Sequence, residues 1–117
     1  MRKATKPKVI PKRHHIYVIE LPEAIGTDSK FLKQNPDYVG GQTCFYVGMT
    51  GLTPEKRFEQ HQTKHKKSAR LCKKYGVVKL RPEWYEQMNP MTYDDAVSME
   101  VRHAEFLRQQ GFGVYQN

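Results

Sequence analysis

Residues 44–61 read Cys44-Phe45-Tyr46-Val47-Gly48-Met49-Thr50-Gly51-Leu52-Thr53-Pro54-Glu55-Lys56-Arg57-Phe58-Glu59-Gln60-His61. Within this stretch strand chemistry gives way to helix chemistry. Cys44 to Val47 are aromatic or apolar and predict a strand that Gly48 closes. Thr53-Pro54-Glu55 predicts a helix start, with Thr53 as N-cap, Pro54 at the first helical position and Glu55 beside the positive end of the helix dipole. The helix is expected to run to about Gln62. On it, Arg57 and His61 are one turn apart and share a face. Phe58 lies next to that face and can anchor the helix to a sheet.

Working outward, Ile16-Tyr17-Val18-Ile19 predicts an earlier strand over residues 15–21, ended by Pro22. Two short strands pair most simply antiparallel. Between them, residues 22–43 carry Pro22, Gly26, Asn35-Pro36 and Gly40-Gly41 and form a long connection with a helical turn around Lys30-Phe31-Leu32. After the Arg57 helix, Ser68 caps a short helix to Tyr75, which Gly76 ends. Val77-Val78-Lys79-Leu80 begins a third strand, extended toward Tyr85 only if Pro82 sits at an edge or bulge. Thr92 opens the last helix with Asp95 at its third position, and Gly111 stops it. The tail from Gly113 is too short to assign. The expected order is strand, strand, helix, helix, strand, helix, a small α+β domain.

The last helix carries an acid in an apolar arc. At about 100° per residue, with Val97 at 0°, Val101 falls near 40°, Ala104 near 340°, Leu107 near 280° and Ala96 near 260°. Glu100 falls near 300°, inside this arc. A carboxylate there needs a cation, several donors or a metal ion. A salt bridge to an arginine of the earlier helix, or a place where the arc meets solvent, would also satisfy it. Glu105 lies outside the arc. Arg108 lies within it, near the helix end, where a long side chain can snorkel.

Composition narrows the function classes. The chain has 117 residues, 20 Lys+Arg against 12 Asp+Glu, and a formal charge of +8. Its mean hydropathy is −0.81. This is one domain with no apolar run long enough to span a bilayer. Residues 1–13 form a basic, disordered arm without an apolar stretch of the secretory kind, and residues 14–117 form the domain. Two cysteines, Cys44 and Cys72, make neither a disulfide framework nor a four-cysteine zinc module, and a cytoplasmic location is expected. His61, His65 and Cys72 have helical spacing for a metal, but zinc needs more ligands in a firmer pattern. The positive charge favours a polyanionic partner, nucleic acid first. A basic run through Lys64, His65, Lys66, Lys67 and Arg70, with Lys73, Lys74, Lys79 and Arg81 beyond, suits phosphate contact, and Tyr75, Trp84 and Tyr85 interleave aromatic surface with it. The bland alternative is a solvated face with core aromatics.

The ordered set His15-Ile16-Tyr17, Tyr46-Val47-Gly48, Arg57, His61 and Glu100 resembles the GIY-YIG nuclease superfamily over about residues 14–117. Two departures stand out. His15 occupies the position of the family's glycine, and Tyr17 and Tyr46 are separated by a connection longer than the family's short hairpin turn. The resemblance implies a three-stranded antiparallel sheet flanked by helices and metal-dependent hydrolysis of a nucleic-acid phosphodiester, usually in DNA, with RNA the other substrate class. It implies that Tyr17 and Tyr46 line the site and help to orient water, that Arg57 stabilises charge on the phosphate and that His61 contacts phosphate or assists proton transfer. It further implies that Glu100 holds one Mg²⁺ (or Mn²⁺) and that Asn117 matches the asparagine closing the family pattern. Gly48 lets backbone or substrate approach closely. So small a domain has little surface for specificity, so a homodimer or partner protein is a further expectation. The competing classes are a non-catalytic DNA- or RNA-binding module and a protein-interaction domain with a solvated basic face.

Overall fold

The computed structural model describes residues 9–66 and 68–116. The sheet has four strands in the order β3-β1-β2-β4. β1 (His15–Leu21) and β2 (Cys44–Thr50) pair antiparallel, with Tyr17 opposite Gly48 and Ile19 opposite Tyr46. β3 is only Lys79–Leu80, antiparallel to β1. It does not extend toward Tyr85, because Pro82–Trp84 forms a 3-10 turn. β4 (Gly113–Tyr115) pairs parallel to β2. The α+β class stands, while the expected three-stranded antiparallel sheet becomes a four-stranded mixed one.

β4 forms because its outer edge is satisfied. The Asn35 side chain accepts from the Val114 amide at 2.8 Å and donates to the Val114 carbonyl at 2.8 Å. Arg108 also donates to that carbonyl, at 3.0 Å. This is the role of the half-buried Arg108, which touches Glu105 as well, at 3.6 Å. Three residues of local pattern cannot announce such a strand, because its hydrogen bonds come from a turn 79 positions away.

Among the described residues, four α-helices flank the sheet: α1 (Ser29–Gln34), α2 (Pro54–Gln62), α3 (Arg70–Tyr75) and α4 (Tyr93–Gln109). The caps follow the chemistry of the sequence. The Thr53 hydroxyl accepts from the Lys56 amide, and that of Thr92 from the Asp95 amide. α3 begins one residue later than expected, with Ala69 at the cap position, while Ser68 donates to the Gln60 carbonyl at 3.1 Å. Asp28 caps α1 and also accepts from the Tyr75 hydroxyl at 2.7 Å, tying the long 22–43 connection to α3.

α4 buries Ala96, His103, Ala104 and Leu107, whereas Val97 and Val101 are 44% and 56% exposed. The buried arc is therefore turned away from the two valines. Small alanines let the helix close on β2 and β4, and Glu100 stays inside the corrected arc. Tyr85 is buried, Trp84 packs on Phe45 and Phe112, and Tyr75 binds Asp28, so these aromatics serve the core rather than an open stacking surface. Arg81 is paired with Glu20 and Glu83 and sits over Phe45. Among the described residues, Val9 to Arg13 are exposed and lack regular structure, and no helix is long and apolar enough to cross a membrane.

Candidate active site

Strand alternation puts Tyr17, Tyr46 and Gly48 on one face of the sheet, toward α2. The Tyr17 and Tyr46 rings lie 6.0 Å apart, and the His61 ring is 5.9 Å from Tyr17 and 5.2 Å from Tyr46. The Tyr17 hydroxyl is 3.0 Å from His61 Nε2. Gly48 permits this arrangement: a Cβ there would stand 2.5 Å from the Tyr17 oxygen and 2.9 Å from Tyr46 Cε1. Such contacts are closer than packed atoms tolerate, so Gly48 is required by neighbouring side chains rather than by its own backbone angles.

The Arg57 guanidinium and the Tyr46 hydroxyl both act on the Tyr17 oxygen as hydrogen-bond donors. A phenol has one proton and two acceptor lone pairs. The Tyr17 oxygen and His61 Nε2 share a further hydrogen bond, and His61 Nδ1 is buried and has no partner among the described residues. Arg57 also donates to Gln60 at 2.7 Å, which holds it along α2.

Burial governs the protonation states. It pushes Tyr17 up to about 12 despite the Arg57 charge, and pushes Tyr46 up further, helped by the Tyr17, Cys72 and Glu100 charges. His61, fully buried, falls to about 4, with Arg57 adding repulsion. At neutral pH both phenols are protonated and the imidazole is neutral. Glu100 is raised by partial burial, against a single backbone donor, the Met49 amide. No ion pair among the described residues includes it. The salt bridge to an α2 arginine is therefore not the way this carboxylate is satisfied.

Tyr17, Tyr46, Arg57 and His61 thus meet in one place, and Glu100 lies near enough for its charge to reach Tyr46. Two further residues join them. Tyr115, on β4, has its ring 5.9 Å from Tyr46. Cys72, on α3, is buried beside the tyrosines, and its thiol is pushed up to about 12. The parallel pairing of β4 brings Tyr115 there, and nothing local in the sequence signals it. Arg70 acts on Tyr115, so the basic turn and α3 border the cluster. Lys64, Lys66 and Arg70 are exposed and His65 is half-buried. Lys67, Asn117 and arm residues 1–8 lie outside the described residues.

No group of three or more His, Cys, Asp or Glu side chains able to hold a metal occurs among the described residues. His61, His65 and Cys72 form no such centre. A lone carboxylate fits one kind of ion, a magnesium that keeps several waters. Glu100, partly shielded and in no ion pair among the described residues, is the side chain that would hold such an ion. A scan against protein-family models, a search of curated proteins and a search of solved structures each return no match.

Proposed function

We propose that this chain is a metal-dependent endonuclease of the GIY-YIG type, hydrolysing phosphodiester bonds in nucleic acid, DNA foremost and RNA second, with Mg²⁺ (or Mn²⁺) as cofactor. The observation that carries this is the meeting of Tyr17, Tyr46, His61 and Arg57 around Gly48, from two strands and a helix. Hydrolysis adds negative charge to a phosphate already anionic, and a fixed guanidinium offsets it. Arg57 holds such a charge at any relevant pH and presents a planar fork to phosphate oxygens.

The protonation states separate the roles. Moving a proton from a phenol near 12 to an imidazole near 4 costs on the order of 10 kcal/mol. His61 therefore orients the Tyr17 hydroxyl rather than deprotonating it. Tyr17 is held among His61, Arg57 and Tyr46 and fixes the Arg57 guanidinium that would meet the phosphate. Mg²⁺ bound at Glu100 would supply the second positive charge and favour ionisation of water. Lys64, His65, Lys66, Lys67 and Arg70 would track the backbone phosphates beyond the scissile one. Two free, buried cysteines suit the cytoplasm. A homodimer or partner protein would extend so small a recognition surface.

The test is incubation of plasmid and structured DNA with Mg²⁺. Cleavage is expected, with Glu100→Ala and Arg57→Ala each slower by about 10³-fold. Unchanged cleavage by Glu100→Ala would remove the metal role. A second reading, a non-catalytic binding module, is favoured by the two phenols held protonated. Salt-sensitive oligonucleotide binding without turnover under any divalent ion would establish it.

A further inference from the structure

Core packing does not account for the outer side of α4. Tyr93, the first residue of the helix, is 57% exposed, and Val97 and Val101 follow it one and two turns later, also exposed. At about 100° per residue, with Val97 at 0°, Tyr93 falls near 320° and Glu100 near 300°. Tyr93 and Glu100 are therefore about 20° apart on one side of the helix, seven residues or about 10 Å from each other along its axis. Val97 lies between them. The His14 ring meets Tyr93 in a T-shaped pair, with centroids 5.2 Å apart at 76°. His14 is itself fixed, since its amide and carbonyl both bond to the Met91 backbone, at 2.9 and 2.8 Å. Tyr93 is thus set rigidly while more than half of it stays open to solvent.

Three exposed side chains in line are far short of the roughly 20 residues a side that a stable protein interface uses. A second copy of the chain would bring another +8 charge against the first. A polyanion meets no such repulsion. Lys12 and Arg13 are exposed and lead directly into His14, so positive charge flanks the aromatic pair. Asp94 and Asp95 lie in the first turn of α4 and make that turn unsuited to a phosphate. What this surface can take is the uncharged part of a nucleotide. A rigid, open aromatic ring beside a basic segment is how single-stranded nucleic acid is bound without its sequence being read.

We propose that Tyr93 is a stacking platform for an unpaired base of the substrate strand, with Val97 as the apolar surface over which that strand passes toward Glu100. The inference rests on the nuclease reading, which puts the scissile phosphate at the Glu100 end. A separation of about 10 Å is three steps of a stacked strand at about 3.4 Å each, so the stacked base belongs within three nucleotides of the cut. Every base has a π-face, so the platform holds all four alike. It requires only that the base be unpaired, which makes strands with unpaired nucleotides beside the cut better substrates than perfect duplex. The two exposed valines of α4, which leave the core to alanines and Leu107, then line the path of the strand.

The experiment separates bases from backbone. A short oligothymidylate and the same strand made wholly of abasic nucleotides are titrated with the intact protein in EDTA and followed by fluorescence anisotropy. Tyr93→Ala is expected to bind the thymidylate strand about tenfold more weakly than wild type and the abasic strand equally well, while Tyr93→Phe keeps wild-type affinity for both. Equal losses on the two strands, no loss on either, or no binding of the thymidylate strand by wild type overturns the platform. Self-association of wild type in sedimentation, abolished by Tyr93→Ala, overturns it in favour of an interface between copies. Digestion with Mg²⁺ of duplex, with and without unpaired nucleotides beside the cut, forms the second arm. Cleavage together with no base-dependent loss in Tyr93→Ala overturns the platform and leaves the nuclease reading standing. A base-dependent loss without cleavage of any substrate overturns the nuclease reading and leaves Tyr93 as the platform of a binding module.

Discussion

Asp28 and Glu100 are both carboxylic acids shielded by the fold, and their surroundings push them in opposite directions. Asp28 accepts from the Tyr75 hydroxyl, from the Lys30 and Phe31 amides and from Lys74. These donors, Tyr75 first, lower it to about 2. Glu100 has one backbone donor, and burial raises it. The same contrast holds for the phenols. Tyr75 donates its proton to the Asp28 carboxylate, whereas Tyr17 faces a buried imidazole and a guanidinium. The Asp28 cluster has its polar groups matched and fastens two segments together. The Tyr17 cluster leaves His61 Nδ1 unmatched and Glu100 outside any ion pair among the described residues, as the proposed site for a charged ligand requires.

The sharpest break of this contrast is Gly48→Ala. The added methyl meets Tyr17 and Tyr46, and a loss of about 3 kcal/mol in denaturant unfolding is expected, with the tyrosine pair displaced. Unchanged stability would mean the rings are not packed as described. Next comes pH. His61 is lowered from 6.5 to about 4, so it contributes stability that is present above 6.5 and is lost as pH falls toward 4. About 3 kcal/mol should disappear across that window in wild type and not in His61→Gln, as read from unfolding midpoints at several pH values.

Asp28→Ala removes a cap and the Tyr75 partner. It should cost about 1–2 kcal/mol at pH 7, with cleavage unaffected. The Asp28 contribution is present above 3.8 and lost as pH falls toward 2, so wild type and variant should converge in that acid range. The smallest effect is expected from Glu100→Gln. Because the folded state raises this acid, its charged form opposes folding as pH rises through the folded value. The variant should match wild type in acid and be more stable at neutral pH, while losing metal-dependent cleavage. A stability loss instead would make Glu100 a brace like Asp28.

Sequence by itself determined the elements whose signals are local. β1 spans the expected residues, α2 runs from Pro54 to Gln62 between the expected limits, and Thr53 and Thr92 cap as their hydroxyls require. The one-turn spacing of Arg57 and His61 and the inward angle of Glu100 also follow from helix periodicity alone. Only the tertiary structure decided which part of the α4 arc faces inward, because periodicity fixes relative angles and the docking surface fixes the zero. It alone made residues 113–115 a strand, through Asn35 and Arg108, and so delivered Tyr115 to the cluster. It alone showed why residue 48 is glycine, since the atoms a side chain would strike belong to residues 17 and 46. Hydrogen bonds and clashes between distant residues leave no mark on local pattern, and the protonation states of the candidate site follow from burial that no single segment supplies.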